Sequence, residues 1–184
     1  MKKLLKVLSV ALCVVALVVG SVAATVAYLS MSTETVEHTF TAGNINIELN
    51  NLDPIDKMMM PGDTIKVDRT VTVEAGSEAC YLFVKINKQN DFDKFLTYTI
   101  DESKGWKPLA GVADVYYIEV EEKAIEEQTF NVFECFTAKA ECTKKDYDEI
   151  EAKPIATLTA YAVQRANIDT VARAWEIAND ISQN

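Results

Sequence analysis

The residues best suited to metal or acid-base chemistry are few and scattered in this sequence. It contains one histidine, His38. A helical zinc protease needs two histidines four residues apart with a glutamate directly after the first, and this arrangement does not occur. Carboxylates are densest from Glu119 to Glu127, but an acidic run between strands is typical of a solvated loop. The sequence therefore predicts no catalytic residue, no metal site and no cofactor.

The cysteines are the other reactive groups. Cys13 stands in an apolar N-terminal segment, and Cys80, Cys135 and Cys142 follow later. Three thiols cannot all pair within one chain. A disulfide between Cys135 and Cys142 would close a small loop, whereas Cys80 and Cys135 would alternatively be core thiols on neighbouring strands. Because a free cysteine also packs as a small hydrophobe, all three interpretations stay open.

The charge of the chain restricts its partners. The sequence has 18 basic and 28 acidic residues and a formal net charge of −10. Binding of nucleic acid requires the opposite sign, because affinity depends on neutralising phosphates. We therefore exclude nucleic acid as a binding partner and expect a solvated acidic surface.

The first 27 residues have the three parts of a secretory signal peptide. Lys2, Lys3 and Lys6 form the basic region, Val7 to Val19 the apolar core, and Gly20 to Ala27 the small-residue end. We expect removal of this segment and one domain over residues 28–184.

The cleavage site follows from the small residues. Cleavage after Ala27 would leave Tyr28 as the first residue, and cleavage after Ala24 is the second choice. An uncleaved anchor is the alternative, because Val7 to Tyr28 approaches the roughly 20 apolar residues of a spanning helix. Cys13 does not suit lipid attachment, since Leu12 precedes it and it lies inside the apolar core.

The rest of the chain has the period-2 pattern of an antiparallel all-β domain. Turn residues separate the apolar stretches, and strands do not alternate with helices. A hairpin loop is expected at Glu74 to Ser77, and Arg69 at an apolar position indicates either an edge strand or an irregularity in the strand that contains it. The predicted strands after residue 50 are Ile65 to Val73, Cys80 to Lys88, Leu96 to Ile100, Val115 to Val120, Gln128 to Phe136 and Ile155 to Gln164.

In the first strand region, the apolar residues change from even-numbered to odd-numbered positions. Apolar residues fall on even positions before Gly43 and on odd positions after it, which predicts two strand pieces joined by a bulge or sharp bend. The residues assigned to this region are Val36, Phe40, Ala42, Ile45, Ile47 and Leu49.

Two helical segments interrupt the strands. Thr143 to Glu151 is short and charged and predicts an external helix or a loop. Asp169 to Ile181 has one apolar stripe, with Asp169 as the expected N-cap and Trp175 as an expected core anchor.

The order of several short motifs resembles the TasA/camelysin (CalY) family of exported proteins. The carrying residues are the small signal end before Tyr28, Thr39 to Ile45, Pro61 to Asp63 before a strand, Cys80 to Ile86, and Thr159 to Gln164. These motifs are short and mostly structural, and they span the whole chain.

The resemblance implies a jelly-roll β-sandwich, secretion, and processing by a SipW-type signal peptidase. For the TasA branch it implies fibres of the biofilm matrix on a Gram-positive-type cell surface, built by passing an N-terminal strand into the next subunit, with an accessory matrix protein as a further partner. In that case the strand from Val36 to Leu49 would be donated, and the alternative is that it pairs within its own domain.

Two other functions remain open at this point. The camelysin branch implies a surface metallo-endopeptidase, from which this chain departs because His38 is its one histidine. The other alternative is a monomeric surface protein held by an uncleaved anchor.

Overall fold

The structure, a computed structural model, describes residues 29–32, 39–50, 56–123, 125–143, 146 and 153–182. The predicted signal peptide with Ala27 and Tyr28, the residues Val36 and His38, and most of the predicted helix from Thr143 to Glu151 lie outside these ranges.

Strands account for most of the described chain. In order, they are β1 (Leu29–Ser32), β2 (Thr39–Ala42), β3 (Ile47–Asn50), β4 (Asp56–Met59), β5 (Thr64–Lys66), β6 (Thr70–Val73), β7 (Cys80–Gln89), β8 (Leu96–Ile100), β9 (Lys107–Pro108), β10 (Val115–Val120), β11 (Gln128–Asn131), β12 (Phe133–Ala138) and β13 (Ile155–Gln164). A short helix α1 (Phe92–Phe95) precedes β8, and helix α2 (Val171–Ile181) follows β13. The expected all-β class with a short C-terminal helix is confirmed.

The first sheet is built around two ten-residue strands. Among the described strands its order is β4-β1-β13-β7-β10-β9, and β2 also pairs with β13. Strands β7 and β13 are antiparallel and pair along their whole length, from Ile155 opposite Gln89 to Gln164 opposite Cys80. Every residue from Ala156 to Val163 is buried, so β13 is covered on both faces.

The second sheet is bent in the middle. It consists of two three-stranded sheets, with the orders β11-β6-β3 and β5-β12-β8, which follow each other along the same chain segments. Strands β5 and β6 are successive pieces of one run, as are β11 and β12, and the two breaks face each other. There the Val132 N–H donates to the Arg69 carbonyl at 2.8 Å, and the Arg69 N–H donates to Asn131 Oδ1 at 3.2 Å. The predicted irregularity at Arg69 is therefore confirmed, and two strands predicted as continuous each divide in two.

The loop from Glu74 to Ser77 does not close a hairpin. Strand β6 pairs with β3 and β11, whereas β7 pairs with β10 and β13. The hairpin prediction was wrong because the two strands that this loop joins lie in different sheets. Local sequence shows where a chain turns, but not whether the next strand returns to its neighbour or crosses to the other sheet.

One main core lies between the sheets. It contains residues from both, including Leu82 and Val84 of β7, Val71 of β6, and Phe136 of β12. At one end a polar group joins the sheets, since the Tyr98 hydroxyl donates to Asp114 Oδ1 at 2.6 Å and Lys88 Nζ lies 2.9 Å from Asp114 Oδ2.

Helix α2 covers the outer face of the first sheet. Its Trp175 is 9% exposed and packs on Phe83 and Tyr161, with ring centroids 5.4 and 5.3 Å apart. The expected role of Trp175 as an anchor is confirmed. The N-cap is Thr170 rather than Asp169, because Thr170 is the last extended residue and its hydroxyl accepts from the Arg173 N–H at 3.2 Å.

Candidate assembly site at the N-terminal strands

Strands β1 and β2 lie one after the other along the same edge of β13. Ser32 of β1 is opposite Ile155, and β2 pairs in parallel from Thr39 opposite Ala160 to Ala42 opposite Val163. Because β7 occupies the other edge of β13 over all ten residues, residues 29–32 and 39–42 share the remaining edge. The first two described strands thus pair with two parts of the β13 edge that β7 leaves free.

Gly43 separates this edge segment from the rest of the fold. Its φ of +106° is one that residues with a side chain rarely adopt. A Cβ built there would lie 2.7 Å from Gln164 Oε1 and 2.8 Å from the Gln164 Cβ, so the position has no room for a side chain. The chain turns here from the first sheet into the second, which confirms the sharp bend expected from the change of parity.

The residues after Gly43 are fixed to the body of the protein. Glu78 N–H donates to the Asn44 carbonyl at 3.2 Å, and Glu74 N–H donates to the Asn46 carbonyl at 2.9 Å. The Asn46 N–H donates to the hydroxyl of Ser77 at 3.1 Å. Ser77 is 5% exposed, and sequence reasoning missed it because a serine in a loop carries no signal of a distant partner.

The residues predicted for a polymerisation strand are divided by this bend. Phe40 and Ala42 belong to β2 in the first sheet, and Ile47 and Leu49 belong to β3, which pairs with β6 in the second sheet. Ile45 and Leu49 are 3% and 4% exposed and Ile47 packs against the same core. The part before Gly43 pairs along the edge of β13, whereas the part after it belongs to the main core.

The described cysteines are all free thiols. Cys80 begins β7 of the first sheet and Cys135 lies in β12 of the second, so they are not on neighbouring strands. Burial raises the pKa of the Cys80 thiol to about 12, a shift that the positive charge of Arg165 opposes. Cys142 is half-buried and donates to the Lys94 carbonyl rather than bonding to Cys135.

The described residues form neither a metal site nor a membrane-spanning helix. No group of three His, Cys, Asp or Glu side chains in these ranges is placed to hold a metal ion. Within the same ranges, no helix combines the length and apolar character needed to cross a membrane.

Comparison with protein-family models, curated protein sequences and solved structures finds no match in any of the three.

Proposed function

We propose that this protein is a secreted structural protein of the cell surface or biofilm matrix, which assembles into fibres by exchanging its N-terminal strands between subunits. The observation that carries the proposal is the position of β1 and β2 at the edge of β13, on the N-terminal side of a glycine bend whose other side is fixed. In this proposal the fold is a jelly-roll β-sandwich and the signal peptide is removed at Ala27 by a SipW-type signal peptidase.

Exchange of these strands would keep the contacts that the single chain already makes. Strand β13 is buried on both faces, so an empty edge beside it would leave main-chain groups without partners, at a cost comparable to lost hydrogen bonds. The same segment of another copy satisfies the same groups in the same register. Domain swapping has a low cost for this reason.

The bend decides how far the exchanged segment extends. Residues 44–46 are bonded to the loop at residues 74–78 and remain with their own subunit. Rotation about Gly43 would carry residues 29–42 away from their own β13 and leave β3 in the second sheet. A head-to-tail exchange builds a linear polymer when the rotation between subunits does not close a ring, and the proposal is of this open kind.

The experiment compares protein starting at Tyr28 with protein starting at Asn44. We expect filaments of the longer form by electron microscopy and none of the shorter form, with strand content retained in both by circular dichroism. Normal polymerisation of the shorter form would show that strand donation from this segment is wrong. Unfolding of the shorter form would show that the segment serves its own domain.

A peptide of residues 28–43 sharpens the test. Added to growing filaments, it should occupy the free β13 edge at the filament end and stop elongation, because it carries the donor strand but no following subunit. A peptide of the same composition in scrambled order is the matched control. Equal growth with both peptides would contradict the proposal.

A further inference from the structure

Strand β8 is an open edge of the second sheet. It pairs with β12 on one side, and no described strand pairs with its other side. With five residues, it is the longest strand that is paired on one side only in the described part of the chain. Tyr98 holds it in place through its hydroxyl bond to Asp114.

The backbone of β8 presents bonding groups at this edge. The Phe95 carbonyl accepts from Lys139 N–H and the Asp101 N–H donates to the Val132 carbonyl, both on the β12 side. Because the direction of these groups alternates along an antiparallel strand, Tyr98 and Ile100 direct their N–H and carbonyl groups to the open side. The Leu96 carbonyl also faces this side, whereas its N–H bonds to Phe92.

The side chains of β8 lack the features that usually prevent edge pairing. Natural edges carry charges, prolines or bulges that disfavour a second chain. Several other described edge strands have them, namely β3 with Glu48, β5 with Lys66, and β9 with Lys107 and Pro108. Strand β8 has no charged residue, and its exposed side chains are Thr97 and Thr99.

The charges that flank β8 are complementary to each other. Lys94 stands before the strand with its side chain 48% exposed and a contact to Asp146 at 4.0 Å. Asp101 and Glu102 stand directly after the strand, where they line a groove of about 720 Å³ together with Asp68 and Glu134. In an antiparallel pair, the beginning of one strand lies beside the end of the other.

We propose that two copies of this chain pair through their β8 strands, antiparallel and about a two-fold axis at Tyr98. Tyr98 then lies opposite its own copy, Leu96 lies opposite Ile100, and Thr97 lies opposite Thr99. Lys94 of each copy comes next to Asp101 and Glu102 of the other. The contact is isologous and stops at two copies, so it does not require strand exchange at β13. In fibres it joins two polymers side by side.

The first experiment is sedimentation velocity of the exported protein at concentrations up to about 1 mM, with the peptide of residues 28–43 present to prevent strand exchange. We expect a reversible dimer. Absence of any dimer over this range would overturn the proposal.

Charge reversal tests the register. Lys94→Glu alone and Glu102→Lys alone each replace two attractions per dimer by repulsions, and each should weaken the dimer roughly 2- to 30-fold. The double variant should restore it, because the charges are complementary again. If the double variant stays as weak as the single ones, this pairing is wrong.

A second pair of variants tests the edge itself. Thr97→Lys with Thr99→Lys puts like charges opposite each other across the two-fold axis and should abolish the dimer. The matched control is Thr64→Lys with Thr129→Lys, which adds the same charge at exposed threonines on other strands. Equal weakening by both pairs would show that net charge, rather than the β8 edge, controls association.

Discussion

The two sides of the first sheet are covered in different ways. The inner side faces the second sheet and belongs to a core with side chains from strands throughout the described chain. The outer side is covered by α2, and its smaller cluster is centred on Trp175, Phe83 and Tyr161. The inner core therefore maintains the packing of the sheets on each other, and the outer cluster maintains the position of α2.

The largest expected effect concerns Phe136 in the inner core. It is 1% exposed and its ring packs on Phe133 at 4.9 Å and edge-on to Phe92 at 5.9 Å. Phe136→Ala should lower the free energy of unfolding toward the upper end of roughly 3–5 kcal/mol, because strands on both sides prevent the cavity from collapsing. Urea unfolding measures this change.

The matched variant in the outer cluster is Trp175→Ala. It should lower the free energy of unfolding by an amount toward the lower end of roughly 3–5 kcal/mol, since a surface helix can shift to fill part of the space. Hydrogen exchange should become faster in α2 and stay unchanged in β12. Equal acceleration in both elements would show that the two clusters unfold as one unit.

A buried titratable group in each cluster gives the stability a pH dependence of its own. Burial raises the pKa of Cys80 from 9.0 to about 12. The protonated thiol therefore contributes fully to the free energy of unfolding below pH 9, and this contribution disappears as the pH rises toward 12. Burial also raises the pKa of Tyr161 above 10.0, against a hydrogen bond with Ser182 that lowers it. The contribution of the Tyr161 hydroxyl to the free energy of unfolding should therefore begin to fall only above pH 10.

Unfolding measured from pH 8 to 11 checks these signs. Cys80→Ala should flatten the loss of stability that begins near pH 9. Tyr161→Phe should flatten part of the loss above pH 10, to which Tyr98 of the inner core also contributes because burial raises its pKa as well. If the slope between pH 9 and 10 is unchanged in Cys80→Ala, the thiol is not the group responsible.

The smallest effect is expected at the N-cap of α2. Thr170→Ala removes the side-chain hydrogen bond from the Arg173 N–H and should lower the free energy of unfolding by about 1 kcal/mol. Asp169→Ala is the control, because the structure does not use Asp169 as the cap. A larger loss for Asp169→Ala than for Thr170→Ala in thermal unfolding would contradict this assignment.

Periodicity in the sequence predicted much of the fold. Residues Val115 to Val120 and Ile155 to Gln164 are strands with the predicted bounds, because alternating or continuous apolar residues are a local property of each segment. The apolar stripe of α2 predicted Trp175 as an anchor for the same reason, and the change of parity located the bend at Gly43.

Pairing could not be predicted in this way. Whether Glu74 to Ser77 closes a hairpin, whether β2 runs parallel or antiparallel to β13, and whether Cys80 adjoins Cys135 depend on segments far apart in the chain. The candidate site was predicted only in part, since the residues from Phe40 to Leu49 were located but their division between two sheets was not.

The sequence by itself determined where the longer strands and the last helix form, because alternating and helical apolar patterns act among neighbouring residues. Only the tertiary structure decided that residues 29–32 and 39–42 lie along the edge of β13 and that no described strand pairs with the second side of β8. An edge is defined by the strand that is absent beside it, and the absence or presence of a neighbour is settled by the packing of the whole chain.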